Sequence, residues 1–498
     1  MPKPRDGVSL RAHAAKGVFW IAASNWGDQF ARLLVFAILS RLLDPEAFGL
    51  VALATVFIGF TEVIAEQGFV EALIQRKHLR PAHLDTAFWT SIGFGVLLAA
   101  ALAALAVPIA MLLGDESLAP VLAVMSLVIP ISGCSLVQRA ILTREMAFRS
   151  LALRSLIAIG VGSVCGVSAA LLGFGVWSLV VQIFAVQFTA AVVLWTVANW
   201  RPRLKFSYSH FRELFRFGKH VVGFRLLNYS NRNADNFIIG AALGPVSLGY
   251  YVVGYRILRL VIQITSNLID KVAFPLYARL QDERDRFRRA YYKSASFAAL
   301  VAFPAFIGIL VLAPEIVLVL FGHKWSESVP VMQVLSVLGI IRSLSYLNSS
   351  TLTSLGKPSW RVVIVGITTI LSVSAFLLVV RYGIVAVAIA AVCVELVVTP
   401  MSYWAVNRIV TIDFKAYFTH IKGPVLASVV LAAVMSVLRY MFRDADALLT
   451  LVAVSGVGML SYITAIRIFA PRLAVEARAL AGDALPARGR TPRLLGRG

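Results

Sequence analysis

Long apolar runs separated by short polar connections recur from one end of the chain to the other. They lie at 17–39, 49–66, 87–113, 117–138, 155–172, 176–199, 220–241, 248–270, 294–320, 330–352, 362–380, 384–406, 424–442 and 448–470. Each is long enough, as a helix rising 1.5 Å per residue, to cross about 30 Å of hydrocarbon. The pattern predicts an all-α polytopic membrane protein with about 14 transmembrane helices. Connections as short as Gly173-Phe174-Gly175 and Arg381-Tyr382-Gly383 force the runs beside them into helical hairpins.

Composition agrees with this reading. The 498 residues are 59% hydrophobic and only 14% charged, with a net charge of +22. Where the cations fall matters more than their sum. Alternate connections (1–16, 67–86, 139–154, 200–219, 271–293, 353–361, 407–423, 471–498) hold 35 Lys and Arg, whereas the opposite set holds only Arg41, Lys324, Arg381 and Arg443. Basic connections stay on the cytoplasmic side, so both termini are expected there. The same split explains the charge by apposition to anionic lipid, and no nucleic-acid module is visible. The N-terminus shows no small-residue cleavage site, so the first run is expected to be retained rather than removed as a signal peptide.

One stretch is written twice. LLDPEAFGL (42–50) and ALGPVSLGY (242–250), at an offset of 200, share Leu43 with Leu243, Pro45 with Pro245 and Gly49 with Gly249, and the offset also pairs Arg32 with Arg232. Pro and Gly end one helix and start another at any tight turn, but the matched depth of the two arginines favours a duplication. Six runs separate the copies, so both begin on the same face, a parallel repeat of the kind that makes two rocking halves around a central site. The expected organisation is a short N-terminus (1–16), a six-helix lobe (17–199), a linker (200–219), a second lobe (220–406), two further helices (424–470) and a basic tail (471–498).

Polar residues inside the runs are the candidate chemistry, because charge in hydrocarbon is costly and faces protein or a wet cavity. Asn25, Asp28, Gln29 and Arg32 form one stripe of the first run, and Arg225, Asn228, Arg232, Asp235 and Asn236 form one stripe of the seventh. The eighth adds Arg256, Arg259 and Gln263, with Asn267 and Asp270 beyond; the tenth adds Arg342, the second Glu62 and Glu66, and the twelfth Glu395. Internal pairing of Asp28 with Arg32, Asp235 with Arg232 and Glu62 with a loop cation is the purely structural alternative. It leaves arginines in surplus, and their planar donor fork suits phosphate or pyrophosphate. Two further segments are expected at the lipid surface: LYARLQDERDRFRRAYYK (276–293) as an interfacial helix, and the Arg-rich tail 471–498 as disordered.

Other chemistries find little support. The three cysteines, Cys134, Cys165 and Cys393, sit at unrelated positions and imply neither disulfides nor metal. The seven histidines lack metal-ligand spacing, and no GxxxxGK[ST] is present. The outward connections are too short to carry a catalytic domain, so no cofactor and no enzyme activity are expected.

The stretches GVFWIAASNWGDQFARLLVFAILSRLLDPEAFGLVALATVFIGF and GFVEALIQRKHLRPAHLDTAFW, with NADNFIIGAALGPVSLGYY and VAFPLYARLQDERDRFRRAYYK, resemble the Wzx-like polysaccharide-transporter flippases for lipopolysaccharide and exopolysaccharide. These belong to the multidrug/oligosaccharidyl-lipid/polysaccharide exporter (MOP, MATE-like) superfamily, and the resemblance covers roughly residues 15–410. It implies two six-helix lobes that move a polyprenyl-diphosphate-linked oligosaccharide across the bacterial inner membrane by alternating access. By position it gives Arg32, Arg232 and Arg256, and then Arg225, Arg259 and Arg342 with Asn25, Gln29 and Asn228, to the substrate. Asp28, Glu62 and Asp235 become candidates for H⁺ or Na⁺ coupling. Membrane lipids and other polysaccharide-synthesis membrane proteins are the implied partners. The alternatives are a cation-coupled drug or metabolite exporter, which calls for an acid-dominated cavity, and a non-transporting scaffold of a synthesis complex.

Overall fold

The computed structural model describes residues 27–484, and among them it is helical throughout, with no strand. In chain order the helices are α1 (27–42), α2 (Pro45–Ala65), α3 (Phe69–Gln75), α4 (Pro81–Ala104), α5 (Ala106–Leu113), α6 (Leu118–Met125), α7 (Val128–Cys134), α8 (Leu136–Arg144) and α9 (Phe148–Leu171). There follow α10 (Val176–Val197), α11 (Tyr208–Arg279), α12 (Arg284–Leu320), α13 (Ser328–Ser354), α14 (Pro358–Val379), α15 (Ile384–Val410), α16 (Phe414–Met441), α17 (Ala447–Phe469) and α18 (Pro471–Ala484). Local chemistry sets several starts. Proline opens α2, α4, α14 and α18, where its missing N–H would have no intrahelical partner. Asp413 caps α16 by accepting from the Lys415 amide at 2.9 Å, and Asp446 caps α17 by accepting from the Leu448 amide at 2.8 Å.

Among the described residues, 11 helices are long and apolar enough to cross a membrane, or 12 when the bent α6–α8 segment counts as one. The expected count of 14 differs for two reasons. The first expected run starts outside the described residues, and the seventh and eighth lie in one apolar stretch, Val221–Ser266, that counts once although its two parts fold back on each other, the Tyr251 hydroxyl reaching Asp235 at 3.0 Å. Gly244, at φ 80°, breaks α11 between them, a backbone angle that a residue with a Cβ resists.

Two surface expectations are corrected. Residues 276–293 are not a separate interfacial helix: they are the end of α11, a short turn and the first turns of α12. Their aromatic residues are inside, Phe287 and Tyr291 being buried beside Tyr277, so the apolar side of this segment covers protein rather than lipid. Of the basic tail, 471–484 is helical (α18), and Lys293 of α12 pairs with Glu476 at 2.8 Å. Residues 485–498 lie outside the described part.

The chain divides into two compact units. The first comprises the chain up to Arg256 with Leu320–Val331 and Val365–Val394. In it α9 and α10 form a hairpin, and Phe69, Leu73, Leu84, Phe88, Val137 and Leu214 make one core. α2 lies antiparallel along the first half of α11. From one end to the other, Gly49 meets Pro245, Leu53 meets Gly240, the Phe57 and Phe237 rings stand 5.7 Å apart, Gly59 presses on Tyr229, and Glu66 pairs with Arg225 at 2.6 Å.

The doubled stretch now has a physical meaning. A Cβ on Gly49 would stand 1.7 Å from the Pro245 carbonyl oxygen, and one on Gly249 would stand 2.0 Å from the Pro45 carbonyl oxygen. Each copy's glycine receives the other copy's proline, the reciprocal contact that a two-fold relation between equivalent stretches produces. Backbone can approach this closely only where no side chain intervenes.

The second unit holds Ile257–Val319, Met332–Ile364 and the chain from Glu395 onward. Here the α16–α17 hairpin packs on Leu312 through Ala427, Leu431, Met435, Val454 and Tyr462. A polar ladder joins α13 to α15: Arg342 Nε bonds Glu395 at 2.9 Å, Ser345 meets Thr399 at 3.0 Å, and Asn348 donates to Ser402 at 2.9 Å. Tyr291 of α12 donates to Asn348 at 2.5 Å, and Arg439 pairs with Glu315 at 2.7 Å. Such bonds hold helices together where water offers no competing partner.

Candidate functional site

The first unit encloses a cavity of about 390 Å³ between α1, α2, α9, α10 and α11. Its polar lining is Arg32, Arg154, Ser155, Gln182, Gln187 and Arg256, and the remainder is aliphatic or aromatic, including Phe36 and Phe48. Among the described residues, no carboxylate lines it. Helical periodicity puts Arg32, Phe36 and Leu39 of α1 on one face, and Arg154, Ser155, Ala158 and Ile159 on the face of α9 that meets them.

The three guanidinium groups are held differently. Arg32 Nε bonds Asp28 Oδ2, one turn back, at 3.0 Å. Arg256 donates through Nη2 to the Arg32 carbonyl at 3.3 Å and lies over the Phe36 ring, 4.6 Å from its centroid, a cation–π contact of about 0.5–2 kcal/mol. Arg154 has no such satisfaction: its Nε is buried and without a hydrogen-bond partner among the described residues. A buried, unpartnered donor on a permanent charge costs several kcal/mol unless something accepts from it, so this atom marks where an anion would be stabilised. An aromatic wall bounds the cavity on one side. Phe36 and Phe48 meet edge to face at 5.1 Å, Phe48 meets the buried Trp325 at 5.3 Å, and the Trp325 indole donates to the Ser40 carbonyl at 2.8 Å.

The expected site residues fare unevenly. Arg32 and Arg256 are together in the cavity. Arg225 is not a cavity residue but an ion-pair partner of Glu66. Arg342 belongs to the second unit and pairs with Glu395, while Arg259, also there, is exposed. Arg232 is exposed on α11 and away from the cavity lining; Gln29 and Asn228 are half-buried and do not line it either. Asn25 lies outside the described residues, as do the side chains of Asn267 and Asp270.

Of the three pairs in the structural alternative, one forms. Asp28 does pair with Arg32. Asp235, however, turns away from Arg232 and accepts from the Tyr251 hydroxyl at 3.0 Å and the Asn236 amide at 2.8 Å. Among the described residues Glu62 pairs with no cation and accepts from Ser132 at 2.6 Å, while Glu66, one turn on, bridges Arg139 and Arg225, both at 2.6 Å. The sequence reading missed Arg154, counting it among the loop cations of 139–154, and missed Gln182 and Gln187 in α10. The hydrophobic pattern gave no signal for the first, since Arg154 stands one residue before the apolar run 155–172, and only the start of α9 at Phe148 places it inside a helix.

The fold and this site define a multi-pass α-helical membrane protein. One solved structure, titled Lipid II flippase MurJ, inward closed conformation, superposes at a TM-score of 0.74 over 91% of this chain and 99% of its own, with 12% identity. A multidrug resistance MATE family transporter in an inward-facing conformation superposes at 0.61 over 77% of this chain and 95% of its own, with 16% identity. Residues 38–330 match the family described as Polysaccharide biosynthesis protein, and the chain belongs to that family. Among curated relatives, the Succinoglycan biosynthesis transport protein ExoT of Rhizobium meliloti is 31% identical over 65% of each chain. The Lipopolysaccharide biosynthesis protein WzxC of Escherichia coli is 28% identical over 68% of this chain and 69% of its own.

Proposed function

We propose that the protein is a flippase that carries a polyprenyl-diphosphate-linked oligosaccharide across the bacterial inner membrane for lipopolysaccharide or exopolysaccharide synthesis. The observation that carries this reading is the cavity lined by three arginines and two glutamines and, among the described residues, by no carboxylate. The diphosphate sits against Arg154, Arg256 and Arg32, whose donors match its oxygens. The glutamines and Ser155 face the sugar, and the prenyl tail stays in lipid. Transport proceeds by alternating access with both termini cytoplasmic, and no covalent chemistry is involved. The neighbours named for polysaccharide and lipid II transport support the cargo class. Of the candidate coupling acids, Glu62 is the one best placed to carry a proton, because Asp28 is tied to Arg32 and Asp235 to Tyr251. A cation-exporting relative would need carboxylates where these arginines stand.

The test is reconstitution into vesicles with a fluorescent polyprenyl-diphosphate oligosaccharide, flipping being read as exposure of the sugar to an impermeant glycosidase. Wild-type protein should accelerate exposure, and the Arg32→Gln/Arg154→Gln/Arg256→Gln triple variant should not. Equal exposure by both proteins, or transport of an organic cation in place of the sugar lipid, overturns the reading.

A further inference from the structure

The connection between α10 and the apolar part of α11 has two dissimilar sides. One side is docked. The Arg203 amide donates to Asp85 Oδ1 at 3.0 Å, the Trp89 indole donates to the Arg203 carbonyl at 2.8 Å, and the Ser207 amide donates to Thr86 Oγ1 at 3.2 Å. Glu213 accepts from Arg76 at 2.5 Å and lies 3.3 Å from His83 Nε2, while Leu214 is buried in the first unit's core. The other side leaves large apolar groups uncovered: Leu204 is 88% exposed, Phe206 60%, Tyr208 70% and Phe215 44%. Arg201, Arg203, Lys205, Arg212, Arg216 and Lys219 are exposed beside them.

The first turns of α11 arrange these groups in order. At about 100° per residue, Leu214 and Gly218 face the core, Tyr208 and Phe215 form the next stripe, and Arg212, Arg216 and Lys219 the stripe after that. Going round the helix, the sequence is therefore protein core, exposed aromatics, then cations. A helix facing water gains nothing by exposing Tyr208 and Phe215. One at the boundary of headgroup and acyl chain buries that stripe and sets the cations against phosphate. The single acid of the segment does not offset them. Glu213 is already taken by His83 and Arg76, which hold its carboxyl below the usual carboxylate range.

We propose that residues 201–219 are an anchor for an anionic bilayer surface: Leu204, Phe206, Tyr208 and Phe215 enter the interface, and Arg201, Lys205, Arg212 and Arg216 hold acidic phospholipid headgroups. The docked side fixes the anchor to α4, so the headgroups are held at the connection between α10 and α11. This assignment is independent of the cargo.

The test places an environment-sensitive fluorophore at Leu204→Cys in the full-length chain with its three cysteines changed to alanine, incorporated into nanodiscs. The label should be severalfold brighter in discs of mixed phosphatidylcholine and phosphatidylglycerol than in phosphatidylcholine alone. The gain should fall as salt is raised, a measurement that needs no further mutation. Lys205→Glu/Arg212→Glu/Arg216→Glu should abolish the gain. A label equally bright in both lipids, a gain insensitive to salt, or a gain that survives charge reversal overturns the proposal.

Discussion

Arg154 is the residue whose role the fold changes most. Its neighbours Arg139 and Arg144 are satisfied on α8: Arg139 pairs with Glu66, and Arg144 donates to the carbonyls of Leu73, Ile74 and Arg76. Arg154 instead sits a turn and a half inside α9 with its Nε buried and, among the described residues, without a hydrogen-bond partner. Arg154→Gln should therefore weaken binding of a polyprenyl diphosphate by about 10–100-fold, the worth of one charge-assisted hydrogen bond to phosphate at about 1.5–3 kcal/mol. Arg154→Lys should recover only part of this, because an ammonium lacks the planar fork. Binding titrations in detergent read both. Arg225→Gln behaves oppositely: it breaks the bridge from Glu66 to α11 and should lower thermal stability while leaving the binding constant near wild type. In the sequence Arg154 looked like the other cations of the connection 139–154, and Arg225 looked like the other arginines within apolar runs. Only their partners distinguish those that hold helices from those that face the cavity.

At the scale of elements, the contact of α2 with α11 is the most sharply specified feature. The doubled Pro and Gly were legible as a repeat, favoured over turn chemistry by the matched depth of Arg32 and Arg232. The reciprocal approach of Gly49 to Pro245 and of Gly249 to Pro45 exists only when the two stretches cross. Gly49→Ala and Gly249→Ala must each displace backbone. Each should cost about 1–3 kcal/mol or more, and Gly93→Ala, where a Cβ meets nothing within 4 Å, should be neutral or slightly stabilising. Thermal unfolding of purified protein followed by tryptophan fluorescence compares the three. The helix boundaries that the hydrophobic pattern misjudged have a common cause. The pattern registers lipid-facing length, whereas 276–293 continues α11 and α12 past the apolar zone and buries Tyr277, Phe287 and Tyr291 against protein. A segment that packs on protein and one that packs on lipid carry the same apolar residues.

For the whole molecule, the strongest regularity is the division of 35 Lys and Arg against four between alternate connections. It predicts that an impermeant thiol reagent applied to the outside of intact cells labels cysteine at Asp115 or Asp444 and spares cysteine at Ser209 or Asp413. Reversal of that pattern would invert the proposed orientation. Length, hydropathy and loop charge determined by themselves that the chain is a many-helix membrane protein, and the motifs placed it in its family. They also brought Arg32 and Arg256 to notice, because an arginine within an apolar run is conspicuous wherever the helix points. Which arginines share a cavity, which acid takes which cation, and which glycines meet across the repeat were decided by tertiary structure alone. Hydrophobicity is a property of each residue summed along a segment and can be read in one dimension. Charge neutralisation and close packing depend on groups that may be 200 residues away in the chain, and those distances are set only once the helices have packed.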